Sequence, residues 1–349
     1  MRANLTGRKK EITGVILLNL GGPDSLKAVR PFLYNLFSDR EIIRLGPSFM
    51  QRPIAWLIST LRSKKTEAMY SRIGGKSPIL DITRSQAVAL EKALNNEAGI
   101  RSPGTGGDSS LRFKVYVGMR YWHPFMEEAF KKIISDGVHR LIVLSLYPHY
   151  SKATTGSSVS DFKKAIEGQD LTTQYIEQWY DFPQYIDALA ELVAKGIERL
   201  KGNEFDLLYS AHSLPQSFID EGDPYLDHIK TTIEKVNKRL AAGPYNINVS
   251  NSRLSFQSKT GPVKWLGPST EETIINLSKG GCRNLLVVPI SFVSDHIETL
   301  YEIDILYKGF AAEHGINLIR CDALNTSEKF IHAMKELVLA SAGHFNRQS

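Results

Sequence analysis

Residues 285–307 read Leu-Leu-Val-Val-Pro-Ile-Ser-Phe-Val-Ser-Asp-His-Ile-Glu-Thr-Leu-Tyr-Glu-Ile-Asp-Ile-Leu-Tyr. The apolar run 285–288 predicts a buried strand. A polar turn follows over 291–295. Ile297, Leu300, Ile303 and Tyr307 then recur at helical spacing, with Ser294 or Asp295 placed to cap the helix start. A helix over 295–307 sets Asp295, Glu298 and Glu302 at i, i+3 and i+7, on one face, with His296 at its entrance. Three carboxylates on one stripe repel unless a cation or protons lie between them. Two readings stay open: a solvated acidic face, or an edge that handles metal or protons.

The same plan recurs along the chain. Residues 137–148, GVHRLIVLSLYP, and 281–292, GCRNLLVVPISF, share a Gly-X-X-X-Leu layout that leads into an apolar run. Residues 115–130 and 256–274 both pass from a strand through an aromatic turn to an acidic helix start. Further strands are predicted at 14–20, 112–119, 141–147, 205–210 and 254–258. Strands alternating with helices, used twice, predict an α/β protein with two similar Rossmann-like domains. Each would be a central parallel sheet flanked by helices, with a cleft between the two. The boundaries read 1–175 and 176–326, with a crossover near 170–185. A last helix within 327–349 would pack back on the first domain.

Composition narrows the functional classes. Hydrophobic residues make up 42% and charged residues 23% of 349, as in ordinary globular proteins. A net charge of +6 without RNA- or DNA-binding signatures argues against nucleic acid and fits anionic substrates or surfaces. The two cysteines, Cys282 and Cys321, suggest neither a disulfide framework nor a four-thiolate cluster, and point to a reducing, cytoplasmic setting. No apolar run reaches the length of a membrane span. The N-terminus MRANLTGRKK reads as a short basic tail before the first strand. The loop 99–111, rich in Gly and Ser, reads as exposed.

Residues 45–65, LGPSFMQRPIAWLISTLRSKK, mix large apolar side chains with Arg52, Arg62, Lys64 and Lys65. This pattern suits a lid over an apolar ligand, a contact with a membrane surface, or an ordinary helix packed on its own domain. Four loops at strand ends could meet in the cleft: 21–24, 120–123, 210–215 and 294–302. They bring His212, a row of His296, Glu298 and Glu302, and the pair Arg120 and Tyr121. Trp122, Trp265 and Tyr301 could form a flat apolar wall. Two or three such ligands suit a divalent metal only in passing, and a histidine near neutral pH can accept a proton.

These residues, in this order, resemble the ferrochelatase family over roughly residues 12–340. The resemblance is carried by LLNLGGPDS (17–25), YSRIGGKSPI (70–79), GMRYWHP (118–124), YPHYSKATTGSS (147–158), SAHSLP (210–215), EGDPY (221–225), FQSKTGPVKWLGPSTEE (256–272) and PISFVSDHIETLYEID (289–304). NLGGP together with SAHSLP and SDHIETLYEID is similar to the branch acting on protoporphyrin IX. The branch acting on coproporphyrin III usually has a different first loop. The resemblance implies insertion of Fe2+ into protoporphyrin IX, giving protohaem and two protons. It implies His212 as the active-site histidine, taking protons or holding metal, and Glu298 as its partner across the macrocycle pocket. His296, Asp295 and Glu302 would form the path by which protons leave or metal enters. Leu20, Arg62, Lys65, Tyr70, Ser77, Arg120, Tyr121 and Trp265 would bind the porphyrin.

Fe2+ enters as a substrate, no tightly bound cofactor is expected, and no [2Fe–2S] cluster is expected from a chain with two cysteines that stops at Ser349. The same residues leave room for a chelatase of coproporphyrin III or cobalt, and for a non-catalytic porphyrin or haem carrier. A peripheral contact with the cytoplasmic face of a membrane would run through 45–65.

Overall fold

The computed structural model describes residues 12–96, 112–249 and 251–345. The basic N-terminal tail and the loop 99–111 lie outside the described residues. The strands are β1 (Ile12–Asn19), β2 (Arg112–Met119), β3 (Arg140–Ser145), β4 (Thr172–Ile176), β5 (Asp206–His212), β6 (Ser252–Gln257), β7 (Asn284–Pro289) and β8 (Asn317–Arg320). The α-helices are α1 (Val29–Ser38), α2 (Gln51–Ser71), α3 (Ile79–Asn96), α4 (Met126–Ser135), α5 (Ser157–Ala165), α6 (Pro183–Glu198), α7 (Gln216–Asp220), α8 (Tyr225–Ala241), α9 (Thr270–Lys279), α10 (Lys308–Glu313) and α11 (Glu328–Phe345). A π-helix spans Glu298–Tyr307.

The strands form two four-stranded sheets, ordered β2-β1-β3-β4 and β6-β5-β7-β8, with every pairing parallel. The orders are the same pattern used twice. The doubled sequence layout maps onto it directly, since 137–148 contains β3 and 281–292 contains β7. The ladder ends match as well: Leu146 N–H donates to Leu18 O, and Ile290 N–H donates to Ser210 O.

Alternation along the central strands explains how the halves join. Val15 and Leu17 of β1 face one apolar cluster, and Ile16 and Leu18 face another. On β7, Leu286 and Val288 enter that first cluster, while Leu285 and Val287 enter a third. The first cluster therefore lies between the sheets and is continuous from one to the other. Helices α3, α6, α8 and α11 supply much of it, including Leu90, Leu189, Val236 and Phe330. Helix α11 lies against α3 and α6 and touches β3 and β4 of the first sheet. The halves are thus fused through a common core, which stops where the strands end.

Two edge strands have weak sequence signals. β4 falls inside the expected crossover; its residues are half-buried apart from the exposed Thr172. β8 has four residues and completes the second sheet. Cys282 and Cys321 are free thiols and both are buried. Among the described residues, no helix is long and apolar enough to cross a membrane.

Phe330 is fully buried and stacks on Trp179, with ring centroids 6.0 Å apart. Phe330→Ala is expected to destabilise the protein by about 3–5 kcal/mol, read by chemical denaturation.

Candidate active site

After its first residue, Asp206, β5 is buried from Leu207 to Ala211, and its last residue is His212. The π-helix begins after the turn that follows β7, and its first residue is Glu298. Because β5 and β7 are neighbours, these ends meet, and His212 Nδ1 lies 2.7 Å from Glu298 Oε2. Some 37% of the His212 side chain is open to the cleft, against 14% for Glu298.

The electrostatics of the pair are reciprocal. Burial pushes the His212 imidazole down, but the Glu298 carboxylate, with Glu302 behind it, lifts it above its ordinary value. Burial would raise Glu298, yet the His212 charge and hydrogen bond, helped by His296 and Ser258, hold it at about 2. Glu298 thus stays a carboxylate and stabilises the imidazolium form of His212 whenever that ring takes up a proton.

Glu302 behaves in the opposite way. Burial, then the neighbouring Glu298 charge, push it up to about 7. Ser258 Oγ lies 2.7 Å from Glu298 Oε2 and 2.5 Å from Glu302 Oε2. One hydroxyl has one proton and cannot donate to two carboxylates. The second contact is satisfied when Glu302 is protonated and donates to Ser258 Oγ. Gln257 Nε2 donates to Glu302 Oε2 and to the Glu298 carbonyl, each at 3.0 Å. Ser258 sits at φ 67°, a left-handed conformation that serines seldom adopt, and sequence reading did not single it out. A serine in the turn just past a strand end was its only signal.

His296 is buried, and its Nδ1–H donates to the Ser294 carbonyl at 3.0 Å. In the neutral ring the proton therefore stays on Nδ1 and Nε2 carries the lone pair, 3.8 Å from Glu298 Oε1. Burial lowers its pKa below the ordinary histidine value.

The expected acidic stripe has a different form. Asp295 precedes the helix and accepts from Arg320 Nη1 at 2.9 Å, Asn325 Nδ2 at 2.8 Å and Thr299 Oγ1 at 2.9 Å. It is committed to Arg320, which also binds Asp304, so the row at the cleft is Glu298 and Glu302. Neither Ser294 nor Asp295 caps the helix; Ile297 occupies that place without a side-chain cap. His212 and Glu298 were expected across a macrocycle from one another. Their direct hydrogen bond puts them on the same side, because no ring fits between atoms 2.7 Å apart.

The first half builds the facing wall. Gly21 has φ 82°, and a Cβ on Gly22 would come 2.5 Å from Ser77 Oγ, so this loop seats tightly on the 72–78 turn. Leu20, Ile73 and Trp122 pack against an apolar cluster that includes Tyr70 and Tyr121, and Ile297 joins them from the second half. Tyr70 is buried beside Ser77; burial and the nearby Glu298 charge both raise its pKa, so it stays a neutral phenol. The Arg72 guanidinium lies 5.6 Å over the Tyr301 ring, a further contact between the halves.

Arg120 and Tyr121 turn inward. Tyr121 is buried and donates to Asp39 Oδ2 at 2.6 Å, as do Arg120 Nη2 at 2.9 Å and Ser157 Oγ at 2.6 Å. Desolvation opposes ionisation of Asp39, but Ser157, Tyr121 and Arg120 outweigh it and lower its pKa. Tyr121 thus has its hydroxyl spent within the wall. Asp39 is a further residue the sequence did not flag. Trp265 is half-buried, with its backbone bridged to Pro215, three residues beyond His212. Arg62 and Lys65 are exposed on α2, with Arg62 5.5 Å over the Phe37 ring.

A family model described as Ferrochelatase matches residues 12–342. The chain belongs to the ferrochelatase family. A ferrochelatase of Desulfotalea psychrophila is 50% identical over 332 residues, covering 95% of this chain and 97% of the relative. One from Geotalea uraniireducens is 51% identical over 335 residues, covering 94% and 97%. The solved structure described as SirB from Bacillus subtilis with Fe3+ aligns over 97% of this chain and 98% of its own, with a TM-score of 0.54. At 12% identity that likeness concerns the fold alone. The chain is thus a metal chelatase, and in a ferrochelatase Fe2+ is a substrate. Among the described residues, no group of three or more His, Cys, Asp or Glu side chains is arranged to hold a metal ion.

The raised Glu302 makes the stability of this ferrochelatase depend on pH. The folded state keeps a proton that the unfolded chain releases near the ordinary carboxyl value. Stability therefore falls as pH rises from about 4.5 through 7. Glu302→Gln removes that burden. It is expected to stabilise the protein at pH 8 by up to about 3 kcal/mol and by much less near pH 5, measured by denaturant titration at both pH values.

Proposed function

We propose that the chain inserts Fe2+ into protoporphyrin IX, with His212 taking pyrrole protons and the Glu298–Ser258–Glu302 row carrying them away. The hydrogen bond between His212 and Glu298 at the cleft is the observation that supports this most directly. With Nδ1 donating to Glu298, the basic site of neutral His212 is Nε2. A proton taken there gives the imidazolium that Glu298 stabilises. Glu302, poised at about 7, can then accept and release a proton near neutral pH. His296, neutral and with a free Nε2 lone pair, is a candidate for touching the incoming metal beside Glu298.

Leu20, Ile73 and Trp122 offer an apolar face to a planar ring, and the exposed Arg62 and Lys65 could pair with its propionates. Trp265 would close one side. Metal entry needs the ring distorted out of plane, with strain drawn from contacts at its edge.

An anaerobic assay of Fe2+ insertion tests the reading. His212→Ala is expected to abolish haem formation while protoporphyrin IX still quenches protein fluorescence. Retained insertion would sink the role of His212. Retained binding without any insertion by the wild type would favour a carrier. Rates with coproporphyrin III, and with cobalt, decide the substrate pair.

The apolar and basic surface of α2 supports a peripheral contact with the cytoplasmic face of a membrane. Phe49 is 77% exposed, Trp56 54%, Leu57 50% and Leu61 73%. They lie on or just before α2, among the exposed cations Arg52, Arg62, Lys64 and Lys65. Replacing Trp56 and Leu61 with serine is expected to weaken cosedimentation with vesicles containing anionic lipid. Unchanged cosedimentation would remove the proposal.

A further inference from the structure

His212 stands where its strand runs out of partners on one side. β6 still pairs with it, since His212 lies opposite Gln257. On the other side the β7 ladder ends two residues earlier, with Pro289 opposite Ser210 and Ile290 N–H donating to Ser210 O. The backbone groups of His212 are met there by side chains. Its N–H donates to Ser291 Oγ at 3.0 Å. Its carbonyl accepts from the Tyr225 hydroxyl at 2.9 Å. These come from different elements: Ser291 follows β7, and Tyr225 opens α8.

The two hydroxyls also lie beside one another, close enough for Ser291 to oppose the rise that burial imposes on the Tyr225 phenol. Every donation can then run in one sense, from His212 N–H to Ser291, from Ser291 to Tyr225, and from Tyr225 back to the His212 carbonyl. Tyr225 is itself fixed. Its ring is buried, and its backbone N–H donates to Asp223 Oδ1 at 3.0 Å. Asp223 Oδ2 accepts from Ser151 Oγ at 2.9 Å and from Lys152 N–H at 2.8 Å, both at the turn beyond β3 in the first half.

We infer that Ser291 and Tyr225 are positioning residues that clamp the main chain of His212, setting its imidazole against Glu298 and keying it to the opposite half through Asp223. This rests on the reading of His212 as the base. The clamp replaces a ladder rung with two hydroxyls, and misplacing a reacting group by a fraction of an ångström is costly in rate. Neither hydroxyl needs to touch substrate for that.

The test compares Tyr225→Phe, Ser291→Ala and Ser291→Thr with the wild type and His212→Ala, using protoporphyrin IX and Fe2+ without oxygen. Tyr225→Phe and Ser291→Ala are each expected to lower kcat about tenfold with KM for porphyrin within about twofold. Ser291→Thr, which keeps a hydroxyl, should recover most of that loss. In histidine-labelled protein, the downfield Nδ1–H proton of His212, which reports its bond to Glu298, should move upfield in both deletions. A kcat within about twofold of wild type in either deletion, or an unmoved proton signal, overturns the clamp. A fall in kcat that Ser291→Thr does not reverse overturns it too. Full insertion by His212→Ala would instead overturn the reading on which it rests. Thermal melts show whether Tyr225→Phe is folded, and Ser291→Ala carries the test if it is not.

Discussion

One apolar layer, shared by both sheets, dictates where chemistry can happen. Central strands buried on both faces cannot carry a charge along their length, because an unpaired buried charge is too costly. Ionisable groups that must sit near those strands are forced to the ends, where the layer stops. β1 holds Val15 through Leu18 with no exposure, and β7 does the same from Leu285 through Val288. His212 appears at the first position where β5 is free of that constraint, and the acids follow just after β7. The cleft is what the shared core leaves open.

Within it, proximity drives the ionisable groups apart in behaviour. Glu298 is held ionised by His212 against its burial, and burial together with that same negative charge keeps Glu302 near a neutral-pH transition. Two glutamates four residues apart thus have opposite preferences because one has a cation and the other has a carboxylate for a neighbour. Ser258 serves both, held in an uncommon backbone conformation that puts a single hydroxyl between them. Arg320 meanwhile takes Asp295 and Asp304 out of the cleft and pins the π-helix from outside.

Much of this was legible in the sequence where the signal is local. The duplicated Gly-X-X-X-Leu runs announced two matching sheets, and SAHSLP and SDHIE announced strand ends bearing His212 and Glu298. What escaped depends on contacts between distant segments. Asp39 lies in an ordinary charged stretch, and its partner Tyr121 is 82 residues away. The fate of Asp295 is decided by Arg320, on an edge strand of four residues too short to show a period. β4 escaped for a related reason: at a sheet edge its side chains are mostly half-buried, so apolar content gives little warning. Periodicity reports which face an element buries and is silent on which charges meet.

The matching ladder ends make two positions in the molecule equivalent. Ser210 of the second sheet stands where Leu18 stands in the first, each accepting from the strand beside it. Two residues on, His212 therefore occupies the place that Leu20, the residue just past β1, holds in the first half. A sheet plan used twice offers two equivalent perches. One carries an aliphatic side chain, Leu20, and the other a titratable one, His212. Two identical halves could not separate these tasks; two unlike halves in a single polypeptide let each perch be set without compromising its twin.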